Sequence, residues 1–365
     1  MTQSPPATML LAIGTYTERL PHVDGQGEGI HLVRFHPGEG AFGAQTAIGG
    51  LRNPTYLAAS ASGDRLYAVC EIDAAEGPTL ETYAVDPEAL TLHHLASTAI
   101  DGAFPCHVSV NVAAGHLAIA NYGSGNFTVV ALDAAGCPTG TPDLIQRYGS
   151  GPRADRQEGP HAHCALPSPD GRHLFLVDLG TDAIARHPIQ GNKVSATPDL
   201  TISAAPGSGP RHIAFSPSGR SLLAVHELAS TVTLHGTDDP RSRLAEVSTL
   251  PQDWHGESTC AAIRVHPGGR FVYASNRGHD SIFAAQLDEA AGTLRPLGTW
   301  PAGGQTPRDI ALSPDGAFLL AASQDEHGVQ VFAVDPATGA LTPTEHRLSL
   351  KSPVCLCFIP DGGEP

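Results

Sequence analysis

Apolar and polar positions follow one phrase that returns seven times along this chain. Each phrase opens on a small or proline-led anchor, runs through a few apolar residues, and closes on Ser-Pro-x-Gly or a relic of it. The closures fall at Gly63, Ala114 (in NVAAG, one residue early), Gly171, Gly219, Gly269, Gly316 and Gly362, in steps of 51, 57, 48, 50, 47 and 46 residues. Short strands and turns repeating about every 50 residues mark a blade repeat, so the pattern predicts an all-β, seven-bladed β-propeller.

Strands are legible within a repeat. In the fourth, RHIAFS, SLLAVH and STVTLHG are separated by turns and followed by a fourth strand, giving strands A to D from the axis outward. The seventh repeat holds only PVCLCFI before the chain ends, and MLLAIGTY, GIHLVRF and FGAQTAI at the other end supply its missing strands. The ring is therefore expected to close through a blade shared between the N- and C-termini, which removes free sheet edges. Residues 1–8 read as a flexible tail and 9–365 as one propeller domain.

Strand direction then selects a site. Strand A crosses the ring and strand B returns, so the start of A and the residue past the end of B share one channel mouth in every blade. The A-start pairs are Thr55/Tyr56, Cys106/His107, His163/Cys164, Arg211/His212, Ala261/Ala262, Arg308/Asp309 and Val354/Cys355. The B-end residues are Thr15, Glu71, Tyr122, Leu179, Glu227, Arg277 and Gln324. His161 lies two residues before His163, on the same side of a strand. Polar side chains gathered where every blade points inward read as a ligand site.

Composition narrows the class. With 40 Gly and 31 Pro, turn signals recur too often for long helices. A formal charge of −16 leaves no basic patch for nucleic acid. No apolar run approaches the roughly 20 residues that cross a bilayer, and MTQSPPATMLLAIGTY lacks the basic flank and apolar length of a secretory leader. Seven scattered cysteines suit reduced thiols in a cytoplasmic protein. Only Lys193 and Lys351 are lysines, so an anion site here must be built from guanidiniums.

FPCHVSVN, RQEGPHAHCALPSPDGRHLFLVDLG, GPRHIAFSPSGRSLLAVHEL, FVYASNRGHDSI and QTPRDIALSPDGAFLLAASQ resemble the lactonase family of seven-bladed propellers. That family includes bacterial propeller-type 6-phosphogluconolactonases and the fungal carboxy-muconate lactonising enzyme. The pairing of GPRHIAFSP with a glutamate sixteen residues after its arginine is the specific part; SPDG is common to many propellers. The resemblance implies a cofactor-free lactone hydrolase whose catalytic set of a histidine, two arginines and a glutamate falls on His161 or His163, Arg211, Glu227 and Arg277. Ala262 stands where the bacterial lactonase usually has an acidic residue.

On this reading His107, Tyr122, Gln157, His212, Arg308 and Gln324 contact substrate. Glu227 either orients water or forms a blade-to-blade salt bridge with an arginine. Arg308 and Asp309 are either a self-satisfied pair or a further anion contact, and the loop carrying Arg156, Gln157 and Glu158 is placed to cover the mouth. Cys106 and Cys164 read as small packing residues. His161-x-His163 has metal-site spacing but no acidic cluster beside it, so no metal is expected. The implied partner is a small anionic lactone, 6-phosphogluconolactone by resemblance, with no nucleic acid, no membrane, and a monomer or weak homodimer. A muconate-type lactonising cycloisomerase is the near alternative, and a non-catalytic binding propeller the distant one.

Overall fold

The computed structural model describes residues 8–111 and 114–361. Gly362, Val112, Ala113 and all but Thr8 of the expected tail lie outside the described residues. The repeat glycines have a backbone reason. Gly63, Gly171, Gly219, Gly269 and Gly316 turn strand A into strand B at φ between 69° and 74°, a left-handed conformation that favours a residue without Cβ. In the second repeat Gly115, at φ 60°, takes that place.

Seven antiparallel sheets, each pairing its strands in order from the axis outward, form the ring. Their innermost strands are Pro54–Ala59, Pro105–Asn111, Ala162–Pro167, Pro210–Phe215, Thr259–Val265, Pro307–Leu312 and Pro353–Ile359. The last strand pairs with Met9–Thr15, so both ends of the chain build one blade, with Leu10 opposite Ile359 and Ile13 opposite Leu356. Apolar clusters fill the spaces between blades; Leu11, Ile13, Phe35, Leu320 and Val331 join the sixth blade to the shared one. Among the described residues no helix is long and apolar enough to cross a membrane.

Two local features shape the mouth. First, strand A begins with a bulge in each blade: Thr55, Cys106, His163, Arg211, the pair Ala261 and Ala262, Arg308 and Val354 have no partner in the register with strand B. A bulge turns one extra side chain away from the sheet. In six blades it separates the A-start pair into a bulge residue and a successor deeper in the channel; in the fifth both residues of the pair lie in the bulge. The same register corrects one expectation. Tyr16 N–H donates to Ser352 O at 3.1 Å, as Glu71 N–H donates to Asn53 O at 2.9 Å and Tyr122 N–H to Phe104 O at 3.0 Å. The B-end residue of the shared blade is therefore Tyr16, not Thr15.

Second, between two strands of that blade the chain makes a small hairpin, Arg19–Leu20 against Val23–Asp24, which lies over the mouth. Asn53 Oδ1 accepts from Thr17 N–H at 2.9 Å and from Glu18 N–H at 3.1 Å at its root. Gln26 N–H donates to Ser352 Oγ at 3.2 Å on the return. Asn53 and Ser352, with Phe104 and Thr306, hold positive φ just before the proline that opens strand A. Such strain in non-glycine residues persists where surrounding structure enforces it.

Candidate active site

The mouth encloses a cavity of about 580 Å³ beneath the hairpin. Bulge residues Cys106, His163 and Arg308 and B-end residues Glu71, Tyr122, Glu227 and Arg277 line it, with Arg156 reaching in from the loop before the third blade. Leu20, Pro21 and His22 form its cover. Every blade contributes to the lining or its cover, brought together because the bulge and the strand end recur at one height.

On the fourth blade, Glu227 is buried among three guanidiniums. Arg156 Nη2 donates to its Oε1 at 2.6 Å, and Arg211 Nε and Arg277 Nη2 lie 2.9 Å and 2.8 Å from its Oε2. Burial alone would raise the carboxyl pKa, but the positive charges of Arg277, Arg211 and Arg156 together drive it far below the usual range. Glu227 is thus a fixed anion, and a weak base. Arg211 does not reach the cavity lining: its Nη1 donates to Ala261 O at 2.7 Å, and its guanidinium backs Glu227 from within the ring. Burial first, and the nearby Arg277 charge second, lower its pKa to about 10.

Opposite, on the first and seventh blades, Glu71 is held mainly by hydroxyls. Tyr16 Oη donates to its Oε1 at 2.8 Å and Thr55 Oγ1 to its Oε2 at 2.5 Å. Arg308 Nη2 donates to Tyr16 Oη at 2.9 Å, stands 3.9 Å from Glu71, and packs 5.2 Å from the Tyr16 ring centre. The phenol therefore donates once and accepts from Arg308. His22 Nε2, 3.3 Å away, completes the set as a second donor. Burial raises the Tyr16 pKa well above its ordinary value, keeping it a phenol.

His163 stands between these groups around the ring. Its Nδ1 is 3.8 Å from Cys106 Sγ and its ring meets Tyr122 edge-on at 5.6 Å. Burial, then the charge of Arg211, pushes its pKa well below 6.5, so the imidazole is neutral at neutral pH. The Cys106 thiol is pushed up by burial and remains protonated. Below, Tyr56, His107 and His212 pack ring to ring, with centres 4.4 to 5.9 Å apart, and Arg264 pairs with Asp309 at 2.8 Å. This layer is a floor beneath the lining residues, with His212 meeting His163 edge-on at 5.3 Å.

Of the residues expected to act, His163, Tyr122, Glu227, Arg277 and Arg308 line the cavity together. The others are placed differently. His161 Nδ1 lies 3.1 Å from Tyr122 O, its Nε2 3.1 Å from Glu158 Oε1, and its ring stacks on Tyr122 at 4.5 Å, outside the lining. Gln157 is buried and knots the loop, its Nε2 donating to Leu179 O and to Asp182 Oδ1, both at 2.8 Å. The neighbouring Arg156 reaches the cavity instead. His107 and His212 belong to the floor, and Gln324 Nε2 donates to Asp325 Oδ1 at 2.9 Å away from the lining. Arg308 and Asp309 do not pair with each other: the bulge turns Arg308 to Tyr16, while Asp309 accepts from Arg264. The H-x-H pair is split, because His163 is the bulge residue and turns inward. Among the described residues no group of three or more His, Cys, Asp or Glu has a metal-holding arrangement. Sequence reasoning assigned no role to Tyr16 or His22 and none to Glu71 beyond its column. For Glu71 and Arg156 the signal was there, as a B-end carboxylate and a loop arginine.

The chain matches the family described as lactonase, 7-bladed beta-propeller, over residues 10–358. It is 32% identical over 350 residues to the 6-phosphogluconolactonase of Bacillus subtilis (strain 168), covering 95% of this chain and 97% of that one. A solved structure from Bacteroides fragilis NCTC 9343, provisionally described as a 6-phosphogluconolactonase, superposes with a TM-score of 0.89 at 31% identity, covering 98% of this chain and 100% of that one. The periplasmic gluconolactonase PpgL of Pseudomonas aeruginosa gives a TM-score of 0.87 at 28% identity, covering 96% and 99%. Seven blades closed by both termini, a polar mouth and a match along nearly the whole chain agree: the chain belongs to the lactonase family of seven-bladed β-propellers, a family of enzymes named for lactone hydrolysis.

Proposed function

We propose that this enzyme hydrolyses an anionic sugar lactone at the channel mouth, with 6-phosphogluconolactone as its substrate. One observation carries the reading: a neutral imidazole, His163, opens onto a cavity where three guanidiniums outnumber two carboxylates, in a chain of formal charge −16. Positive charge concentrated against the sign of the whole protein selects an anion. The names of the Bacillus subtilis and Pseudomonas aeruginosa relatives support the lactone, and the first supports the phosphate.

His163 takes a proton from water, and the water oxygen attacks the lactone carbonyl carbon. The carbonyl electrons move to oxygen, and the guanidinium of Arg156 stabilises that oxyanion. As the tetrahedral carbon reforms its carbonyl, the ring C–O bond breaks. The imidazolium returns its proton to the departing alkoxide, giving the open hydroxy acid. Base catalysis of this kind contributes roughly 10²–10⁴-fold, which suits a substrate already prone to hydrolysis. Glu227, paired with Arg156, Arg211 and Arg277, keeps the guanidiniums in place. The test is hydrolysis of a lactone panel, with 6-phosphoglucono-δ-lactone, glucono-δ-lactone and a muconolactone followed against their spontaneous rates. The proposal expects the largest acceleration with the phosphorylated lactone; no acceleration of any of them removes it.

A further inference from the structure

The two carboxylates of the cavity stand about as far apart as a seven-membered ring allows, on the first and fourth blades. Their surroundings differ in charge. Glu227 faces Arg156, Arg211 and Arg277, three positive charges against one negative. Among the described residues Arg308 is the one guanidinium paired with Glu71, so that side is balanced, and its direct hydrogen bonds come from Tyr16 and Thr55 hydroxyls. Each Glu71 oxygen accepts one short hydrogen bond and keeps a further lone pair, and the residue lines the cavity.

We propose that Glu71 is a substrate-binding residue that accepts hydrogen bonds from sugar hydroxyls, aimed by Tyr16, while the anionic group of the ligand lies at Arg277 across the ring. The inference rests on the lactone reading and gives the ligand a direction in the cavity. A carboxylate balanced by one guanidinium and held by hydroxyls offers an anionic handle no net attraction, yet still accepts from hydroxyl groups. Tyr16 is the positioning residue: one phenol oxygen joins Glu71, Arg308 and His22, so all three turn together. His22 brings the covering hairpin into the set.

Binding separates the two ends without requiring turnover. Affinities of the whole chain for 6-phosphogluconate and for inorganic phosphate are measured by calorimetry in the wild type and in Glu71→Gln, Tyr16→Phe and Arg277→Gln. Loss of a charged hydrogen bond to a hydroxyl weakens 6-phosphogluconate about 10-fold or more in Glu71→Gln and moves phosphate less than about 2-fold. Tyr16→Phe, which keeps the ring beneath Arg308, follows Glu71→Gln in the same direction. Arg277→Gln weakens both ligands. Equal weakening of both ligands in Glu71→Gln and Tyr16→Phe, or no change in either, overturns the proposal. A wild type that shows this binding pattern and opens no lactone would retain the hydroxyl-reading site and refute the hydrolase reading alone.

Discussion

Glu227 and Glu71 occupy equivalent places, each the residue past strand B of its blade, and each is nearly buried. What differs is the bulge residue beside them. The fourth blade puts an arginine there, the first a threonine. With Arg211 at its side and Arg156 and Arg277 arriving from neighbouring elements, Glu227 becomes the centre of a cationic cluster. With Thr55 and Tyr16, Glu71 becomes an acceptor held by hydroxyls. The same backbone position, repeated, is thus given a cationic or a hydroxyl surrounding by the neighbours it meets. This is the means by which a repeat fold builds an asymmetric site.

That contrast sets the size of the mutational effects. Glu227→Gln leaves the buried Arg211 guanidinium without its charge partner, and breaking such a buried pair costs about 3–5 kcal/mol. Glu71→Gln keeps an acceptor oxygen for one of its two hydroxyl donors and costs about 1–3 kcal/mol. Urea unfolding of both variants measures the difference; equal losses would erase the distinction between the two sites.

Acid should reach the whole site through its imidazoles. Burial lowers His163 and His212 well below 6.5 and His107 to about 3. The unfolded chain therefore binds protons below pH 6.5 that the folded chain refuses, so stability is full above that pH and falls as pH drops. For His107 the loss is about 1.4 kcal/mol per pH unit between pH 6.5 and about 3. Glu227, with its pKa held below the usual range, adds a loss of the same sign at lower pH. Thermal unfolding between pH 7 and pH 4 checks this, and His107→Phe is expected to flatten the slope. A midpoint independent of pH would mean the floor histidines are hydrated.

The fold was legible in the sequence because the turn after strand A needs a left-handed residue, and glycine marks it in nearly every repeat. The site was legible in part, for the same reason: counting from those glycines reaches the mouth. Counting fails where the repeat is broken. The shared blade has no glycine between its A and B strands, since they come from opposite chain ends, and the count lands on Thr15 instead of Tyr16. The bulges were invisible in residue pattern, so His161 and His163 read as one face, and Arg308 and Asp309 as either a pair or a further anion contact. The loop before the third blade has no period at all. Only its folded knot, with Gln157 inside, shows why Arg156 is the side chain that reaches Glu227.

The central claim is that His163 is the base and Glu227 the scaffold. The most direct measurement is kcat/KM for glucono-δ-lactone from pH 4 to pH 7.5 in the wild type and in His163→Gln. The account predicts a wild-type rate that holds through pH 6.5 and declines only well below it, as a buried imidazole gains its proton. His163→Gln should lose about 10²–10⁴-fold, with no such decline in what remains. A wild-type profile that bends at the ordinary histidine pKa near 6.5, or an acid limb that survives in His163→Gln, would contradict it.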